Sequence, residues 1–309
     1  MKNTAISTFE LFNKFPDAES ARVYIEKLRW NEKPSCPLCQ EKERICVRNG
    51  GYYRCNACLN DFTVRTSTIF ERSHIPLHKW LYAMYLLVTA RKGISSMQLS
   101  KEIGVTQKTA WFMLGRIREA CGHDFSMLAG TVEVDETYIG GKEKNKHQSK
   151  KTQGSMGRST ASKTAVVGLR ERGGRTKALK VKNVDSITLF NLIDWNVKPG
   201  SVVNTDDSPN YGGIHTAFTH ETVSHKDKEY VRGNVTTNSI ESVWAVMKRG
   251  LNGVYHHASR KHLTRYINEF TFRLNDGNVN RTSMERLASL LTNSFGQRLT
   301  WNRLVEGEK

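Results

Sequence analysis

Apolar residues recur at three- and four-residue spacing through the first third of the chain, and again from about residue 237 to 275. Between those blocks they alternate with polar residues, so the pattern predicts helices on either side of a group of strands. "FPDAESARVYIEKLRW" offers Asp17 as an N-cap, followed by apolar Val23, Ile25, Leu28 and Trp30, and predicts a helix within residues 9 to 30. Helical patterns fill 75 to 121. Within them "WLYAMYLLVTA", from Trp80, is too short to span a bilayer and reads as a buried helix. From residue 131 the spacing predicts the strands "TVEVDE", "TAVVGLRE", "TKALKVKNV" and "SVVNTDD", with a helix, "SITLFNLIDWNV", before the last. The chain after about 276 is polar, with one more helix, "SMERLASLLTNSF". There is no internal repeat.

The segment "ISSMQLSKEIGVTQKTAWFMLGRIREA", from Ile94, has the form of a helix-turn-helix. Leu99 and Ile103 line the first helix, Gly104 makes the turn and Thr106 caps the second helix. Ala110, Met113, Leu114 and Ile117 form the core stripe of that second helix, while Gln107, Trp111 and Arg118 share another face. A helix entering the major groove reads bases with its first residues. Gln107 and Lys108 are therefore the expected base readers, and Arg116 and Arg118 the expected phosphate contacts. An ordinary helical hairpin is the plainer alternative.

Charge strengthens the nucleic-acid reading. The chain of 309 residues has a net charge of +17 and a pI of about 9.7, which calls for a polyanionic partner, most simply nucleic acid. At 38% apolar residues it is a globular chain rather than a disordered one. The opening "MKNTAISTFELF" lacks the apolar core of a secretory signal, so a cytoplasmic protein without a membrane partner is expected. Between the first two strands, "GGKEKNKHQSKKTQGSMGRSTASK" carries seven Lys or Arg against one Glu. It reads as a flexible basic loop, either a solvated insertion or a DNA-contacting one.

Six cysteines in such a protein point to metal or core packing. "CPLC" (Cys36, Cys39) and "CNAC" (Cys55, Cys58) have the spacing of a four-thiolate zinc site, and "RICVRNGGYYR" between them reads as a hairpin turning at Asn49-Gly50-Gly51. The unit predicted is a zinc ribbon with one structural Zn²⁺, redox dithiols being the alternative. Cys46 and Cys121 are expected in the core.

The carboxylates carry the chemistry. On the strand "TVEVDETYI", Glu133, Asp135 and Thr137 share one face, and Val132, Val134 and Glu136 the other. A later strand ends in Asp206 and Asp207. The helix "TTNSIESVWAVMKRGL" has the core stripe Ile240, Val243, Trp244, Met247 and Leu251, with Glu241, Ala245 and Lys248 on one side of it. Two strand carboxylates and one helix carboxylate can hold two Mg²⁺ (or Mn²⁺) ions, which serve phosphodiester displacement. Asp135 is the expected ligand of the first strand, with Glu133 behind it as support or as the partner of a basic residue. Glu136 points away.

Taken together, "CPLC", "YRCNAC", "FTVRTSTIFERSHIPLHKW", "KGISSMQLSKEIGVTQKTAWFMLGRIREA", "VEVDETYIGGK", "NTDDSPNY", "TTNSIESVWAVMKRGLNGVYHH" and "KHLTRYINEF" resemble the ISXO-like group of bacterial insertion-sequence DDE transposases with an N-terminal zinc ribbon. The resemblance covers about residues 10 to 275. It implies an RNase H-like catalytic domain in which Asp135, Asp206 and Glu241 are the catalytic metal ligands and Lys248 contacts a phosphate. Some members have Asn where this chain has Glu241. The group usually has Gly where this chain has Asp207, and its pattern selects Asp206. His225, His256 and His257 also recur in the group, and a structural role is expected for each. The implied activity is binding of terminal inverted repeats followed by metal-dependent strand cleavage and strand transfer. The implied partners are transposon-end and target double-stranded DNA, with at least a dimer on DNA, in a nucleoid-associated bacterial setting. Lys142, Lys144, Lys146, Lys150, Lys151 and Arg249 join the expected DNA contacts.

The fold expected is therefore multidomain α/β, a zinc ribbon and helix-turn-helix followed by an RNase H-like mixed-sheet catalytic domain. The expected divisions are a helical segment at 1–30, the ribbon at 31–72 and the helix-turn-helix region at 73–125. The catalytic domain follows at 128–276, with the basic insertion 141–163, and a tail at 277–309. A non-catalytic or domesticated DNA-binding regulator and an RNase H-like nuclease are the alternatives.

Overall fold

The protein is seen here as a computed structural model that describes residues 5–31, 33–122, 126–141, 147, 149, 160, 163–277 and 281–306. It divides into two compact units, residues 1–123 with 276–309, and residues 124–275. The first unit opens with helices α1 (Thr8–Lys14) and α2 (Ala18–Trp30), each started by a capping box, Ser7 with Glu10 and Asp17 with Ser20. Asp17 is the expected cap. The buried stripe of α2 is Ala21 and Ile25, spaced i, i+4, which leaves Val23 half-exposed instead of in the core. Strands β1 (Ile45–Arg48), β2 (Tyr52–Cys55) and β3 (Asn60–Thr63) form an antiparallel sheet. Its first turn passes through Gly50 and Gly51 at positive φ. The positive φ of Gly51 favours glycine there, and a Cβ would also displace the Arg22 side chain, whose Cδ would stand 2.5 Å away. Cys46 is a correction to the expected core, since β1 is an edge strand and its thiol is exposed. Cys121 is buried as expected.

Helices α3 (Leu77–Thr89), α4 (Ser96–Ile103) and α5 (Gln107–Ala120) follow. The apolar run from Trp80 is the buried α3. Gly104 takes the left-handed conformation between α4 and α5, and the Thr106 side chain accepts the Thr109 N–H. The predicted stripe Ala110, Met113, Leu114 and Ile117 is fully buried.

The second unit is built on β4 (Thr131–Ile139), β5 (Thr164–Glu171), β6 (Thr176–Val181), α6 (Ser186–Asn196), β7 (Val202–Asp206) and β8 (Thr219–Val223). A small hairpin of β9 (Val231–Arg232) and β10 (Val235–Thr236) leads into α7 (Asn238–Gly250) and α8 (Leu263–Asp276). Among the described residues the sheet has five strands in the order β6-β5-β4-β7-β8. β4, β5 and β6 are antiparallel neighbours, while β7 and β8 run parallel to β4. This is the mixed, RNase H-like sheet that was expected. Val132, Val134, Val167, Leu169 and Val203 pack one face against Leu189, Leu192 and Ile193 of α6. On the other face Val166 packs against Ile240, Val243, Trp244 and Met247 of α7 and Ile267 and Phe270 of α8. The alternation of the strands thus buries both faces, and the odd-numbered residues of β4 look toward α7.

Helices α9 (Ser283–Thr292) and α10 (Trp301–Glu306) complete the first unit. The segment expected as a tail is a structural part of that unit. Leu287, Leu290 and Leu291 are buried, Thr68 and Phe295 form a β-bridge, and Trp301 stacks on Phe112 of α5 with ring centroids 3.8 Å apart. Among the described residues no helix is long and apolar enough to cross a membrane.

Candidate active site and zinc centre

The two C-x-x-C turns converge. Cys36 Sγ lies 3.7 Å from Cys58 Sγ, Cys39 Sγ lies 3.6 Å from Cys55 Sγ, and all four sulfurs lie within 4.8 Å of one another. Tetrahedral ligands at about 2.3 Å from a zinc ion stand roughly 3.8 Å apart, so the four cysteines fit one structural Zn²⁺. Hydrogen bonding with Asn60 lowers the Cys58 thiol to about 6, while burial and the neighbouring thiols raise Cys36 and lift Cys39 to about 12, so the four sulfurs share their negative charge unevenly until a cation takes it. Trp30, Tyr53 and Phe62 pack beside the cluster and make up most of what apolar core the ribbon has.

In the second unit Glu133 on β4 pairs with Asn204 on β7 in parallel register. Carried two residues on, the register sets Asp135 beside Asp206, both on the face that carries α7, on strands about 4.8 Å apart. Gly168 pairs with Asp135 across the β4–β5 ladder, and a Cβ there would lie 2.5 Å from the Trp244 ring. The bare glycine lets Trp244 cross β5 and donate its Nε1–H to Asp135 Oδ2 at 2.9 Å. Burial, then the charge of Glu136, lift Asp135 from its ordinary 3.8 to about 6, with Asp206 adding to the rise. Glu136 lies on the α6 face as expected, and buried Tyr211 donates to it at 2.6 Å. Its own pKa is raised, chiefly by burial. Its charge nevertheless reaches Asp135, a coupling that face alternation alone does not reveal.

Asp206 Oδ1 accepts the Ser208 N–H at 3.1 Å, a local turn that holds it at the strand end. Asp207 points elsewhere, accepting from Ser224 Oγ at 3.2 Å and lying 3.6 Å from Lys226 Nζ. Glu241, in the first turn of α7, has its Oε1 3.6 Å from His225 Nε2. Among the described residues only the four cysteines bring three or more candidate ligand atoms within 4.8 Å of one another. The structure therefore brings Asp135 and Asp206 side by side, and holds Glu241 over toward His225. A structural role is expected of His225 from the sequence, and its place beside the helix acid is visible only in the fold.

Glu133 holds α7 in place. It is 1% exposed, and its Oε2 accepts from Ser239 N (2.9 Å), Ser239 Oγ (2.6 Å) and Ile240 N (3.2 Å). Thr237, at the helix N-cap position, makes no side-chain cap hydrogen bond, so a strand carboxylate caps this helix instead. The other oxygen of Glu133 meets Arg172 Nη2 at 3.1 Å, while Arg172 Nη1 donates to Asn234 O ahead of the helix. The expected basic partner of Glu133 is therefore Arg172.

Two of the expected DNA contacts on α5 need correction. Arg118 is only 3% exposed, within the buried side of the helix, and is not presented to phosphate. Arg116 turns its Nη1 inward to the carbonyls of Ile69 (3.0 Å) and Glu71 (3.1 Å). A period of 3.6 residues places a side chain on a face but does not show that a second segment covers that face. Gln107 and Lys108 are exposed, Gln107 donating to Ser96 Oγ at 2.8 Å and Lys108 Nζ standing 5.3 Å over the Trp301 ring. Trp111 is half-buried, edge-on to Phe112. In the second unit Lys248 and Arg249 are exposed in the last turn of α7. Lys142, Lys144, Lys146, Lys150 and Lys151 lie outside the described residues.

Residues 127–275 match the ISXO2-like transposase domain, and residues 16–60 the transposase zinc-ribbon domain. The chain is 31% identical over 273 residues to an uncharacterised protein in transposable element ISH50 of Halobacterium salinarum, covering 84% of this chain and 91% of that one. An uncharacterised transposase-like protein of Haemophilus influenzae is 30% identical over 103 residues, 32% of this chain and 80% of the other. Among solved structures, the Mos1 strand transfer complex is similar with a TM-score of 0.29 and 14% identity, covering 74% of this chain and 78% of that one. A simian T-cell lymphotropic virus intasome in complex with a PP2A regulatory subunit gives a TM-score of 0.30 and 13% identity, over 68% and 70%.

Proposed function

This chain belongs to the ISXO2-like transposase family, and from that premise we propose that it binds the inverted repeats of its element, cuts there and joins the freed 3′ ends to target DNA. The observation that carries the reading is the placement of Asp135 and Asp206 on adjacent strands beneath the helix that bears Glu241. Their donor set is carboxylate oxygen, the kind Mg²⁺ and Mn²⁺ take. Burial first, and then the charges of Glu136 and Asp206, lift Asp135 to about 6, and a divalent cation would neutralise the charge gathered there, so the residues fit such ions. Asp135 and Asp206 would hold them, with Glu241 as the third ligand. Bound there, they would stabilise the attacking and leaving oxygens of a phosphodiester.

The chain's own groups set the geometry. Trp244 Nε1–H fixes the Asp135 carboxylate, and Ser208 N–H fixes that of Asp206. Glu133 anchors the start of α7 and so the position of Glu241, and His225, 3.6 Å from Glu241, would pair with it when protonated. Lys248, two turns after Glu241 and about 10 Å along the helix, is placed for a phosphate of the same strand. Gln107 and Lys108 on α5 are the base readers.

The test uses purified protein, Mg²⁺ or Mn²⁺, and DNA carrying the inverted repeats that flank the coding sequence. Nicks leaving a 3′-OH at the repeat end, followed by joined products, are the expected result. Binding without metal-dependent cleavage would replace the reading with that of a regulator, and cleavage without joining with that of a nuclease.

Glu133→Ala provides a second check. Uncapping α7 and stranding Arg172 is expected to destabilise the second unit by about 2–3 kcal/mol. Glu133→Gln, which still accepts from Ser239 and Ile240, is expected to restore most of that stability in thermal melts. Wild-type stability of the Ala variant would remove Glu133 from its anchoring role.

A further inference from the structure

A cavity of about 220 Å³ lies in the second unit, where the end of β4 meets the end of α7. Lys248, Asn252, His256 and His257 supply its polar lining, and Ile139 and Leu251 part of its apolar wall. Among the described residues, none of those four polar side chains has a hydrogen-bond or ion-pair partner. Each offers N–H donors, the imidazoles in either protonation state. Among the described residues no carboxylate lines the cavity. Lys248 and Arg249 offset the partial negative charge of the α7 C-terminus.

The backbone here is shaped for the cavity as well. Residues Leu251–Tyr255 widen into a π-turn, and His256 follows at φ 58°, a conformation rare for a residue with a Cβ. Tyr255 packs edge-on to Tyr266 with ring centroids 4.8 Å apart, which anchors the turn that carries both histidines. α7 runs beside β4 from Glu133, past Asp135 at Trp244, to the cavity at Lys248. Tyr138 and Ile139 lie three and four residues beyond Asp135, about 10–13 Å along the strand.

We propose that this cavity binds one nucleotide of the DNA strand that enters the carboxylate site. Lys248, Asn252, His256 and His257 take its phosphodiester, and Ile139 packs against its sugar. The assignment rests on the reading of the carboxylates as a DNA-cutting site, and it gives His256 and His257 a binding role in place of the structural one expected from sequence.

The experiment titrates the full chain, without divalent metal, with the dinucleotide TpT and separately with thymidine, following the imidazole resonances by NMR. Saturable shifts with TpT and none with thymidine are expected. His256→Gly suits the positive φ and should leave the melting temperature unchanged. That variant and His257→Ala are each expected to weaken TpT binding about tenfold, the worth of one charge-assisted hydrogen bond. Asn252→Asp, which places a like charge in the cavity, should abolish it. In cleavage assays the histidine variants should raise KM more than they lower kcat. Absence of TpT binding, or binding by the double histidine variant equal to that of wild type, would overturn the proposal. Asp135→Asn should bind TpT normally. If wild type binds TpT in this cavity and never cuts DNA, the transposase reading fails alone.

Discussion

Asp135→Asn is expected to cut metal-dependent cleavage by about a thousandfold, roughly 4 kcal/mol of barrier at 1.36 kcal/mol per tenfold, and at the same time to raise the melting temperature of the metal-free protein. The substitution is nearly isosteric, and the Asn oxygen can still accept the Trp244 Nε1–H that Asp135 Oδ2 now accepts. It removes a charge that burial and Glu136 make unfavourable. Because the folded-state pKa of about 6 lies above the ordinary 3.8, the native state holds the proton more tightly than the unfolded chain. Metal-free stability therefore falls as pH rises from about 4 to 6, by at most about 2–3 kcal/mol, and the penalty is fully present above that window. Asn carries no such penalty. Mg²⁺ should stabilise the wild type at neutral pH and the variant far less. Thermal melts at pH 5 and 7.5, with and without Mg²⁺, and single-turnover cleavage give the readouts. Cleavage within tenfold of wild type would remove Asp135 from the catalytic assignment, and a variant less stable than wild type at pH 7.5 would remove the buried-charge penalty assigned to it.

Removing zinc is expected to have the second large effect. The ribbon has three short strands and a small aromatic cluster around Trp30, Tyr53 and Phe62. So small a core rarely folds without its metal, and structural zinc sites contribute about 10–16 kcal/mol of apparent binding energy to folding. Chelation, or Cys55→Ser, should release one zinc per chain, melt the ribbon and weaken repeat-DNA binding by about a hundredfold, equivalent to losing one module's contacts. Cys46→Ser is the control, because that thiol is exposed and outside the cluster. Zinc content by a colorimetric chelator, near-UV circular dichroism and gel-shift affinity are the measurements. A chelated protein that keeps its ribbon spectrum and its affinity would exclude a structural metal.

Much of this site was legible from local rules. The two C-x-x-C pairs meet within 4.8 Å, the stripes of α5 and α7 are buried, and Thr106 and Asp17 cap the helices expected of them. Alternation along β4 assigned Asp135 and Glu136 to opposite faces correctly. The misjudged residues share one cause. Val23 fits an apolar run, but only Ala21 and Ile25 of that run are buried. Arg118 falls on a polar-looking face of α5 that is nonetheless buried. Cys46 alternates as a core residue would, but on a strand with a neighbour on one side only.

The sequence by itself determined the repertoire, because helix and strand periods, caps and metal-ligand spacing act over a few residues and are written in the order of the side chains. The tertiary structure alone decided which of those elements meet. The register of β7 against β4 sets Asp206 beside Asp135 and turns Asp207 toward Lys226. The docking of α7 gives Glu133 its partners 106 residues away, and the packing of α9 and α10 makes the polar end of the chain part of the first unit. Such pairings depend on close packing between segments remote in sequence, and no local pattern carries that information.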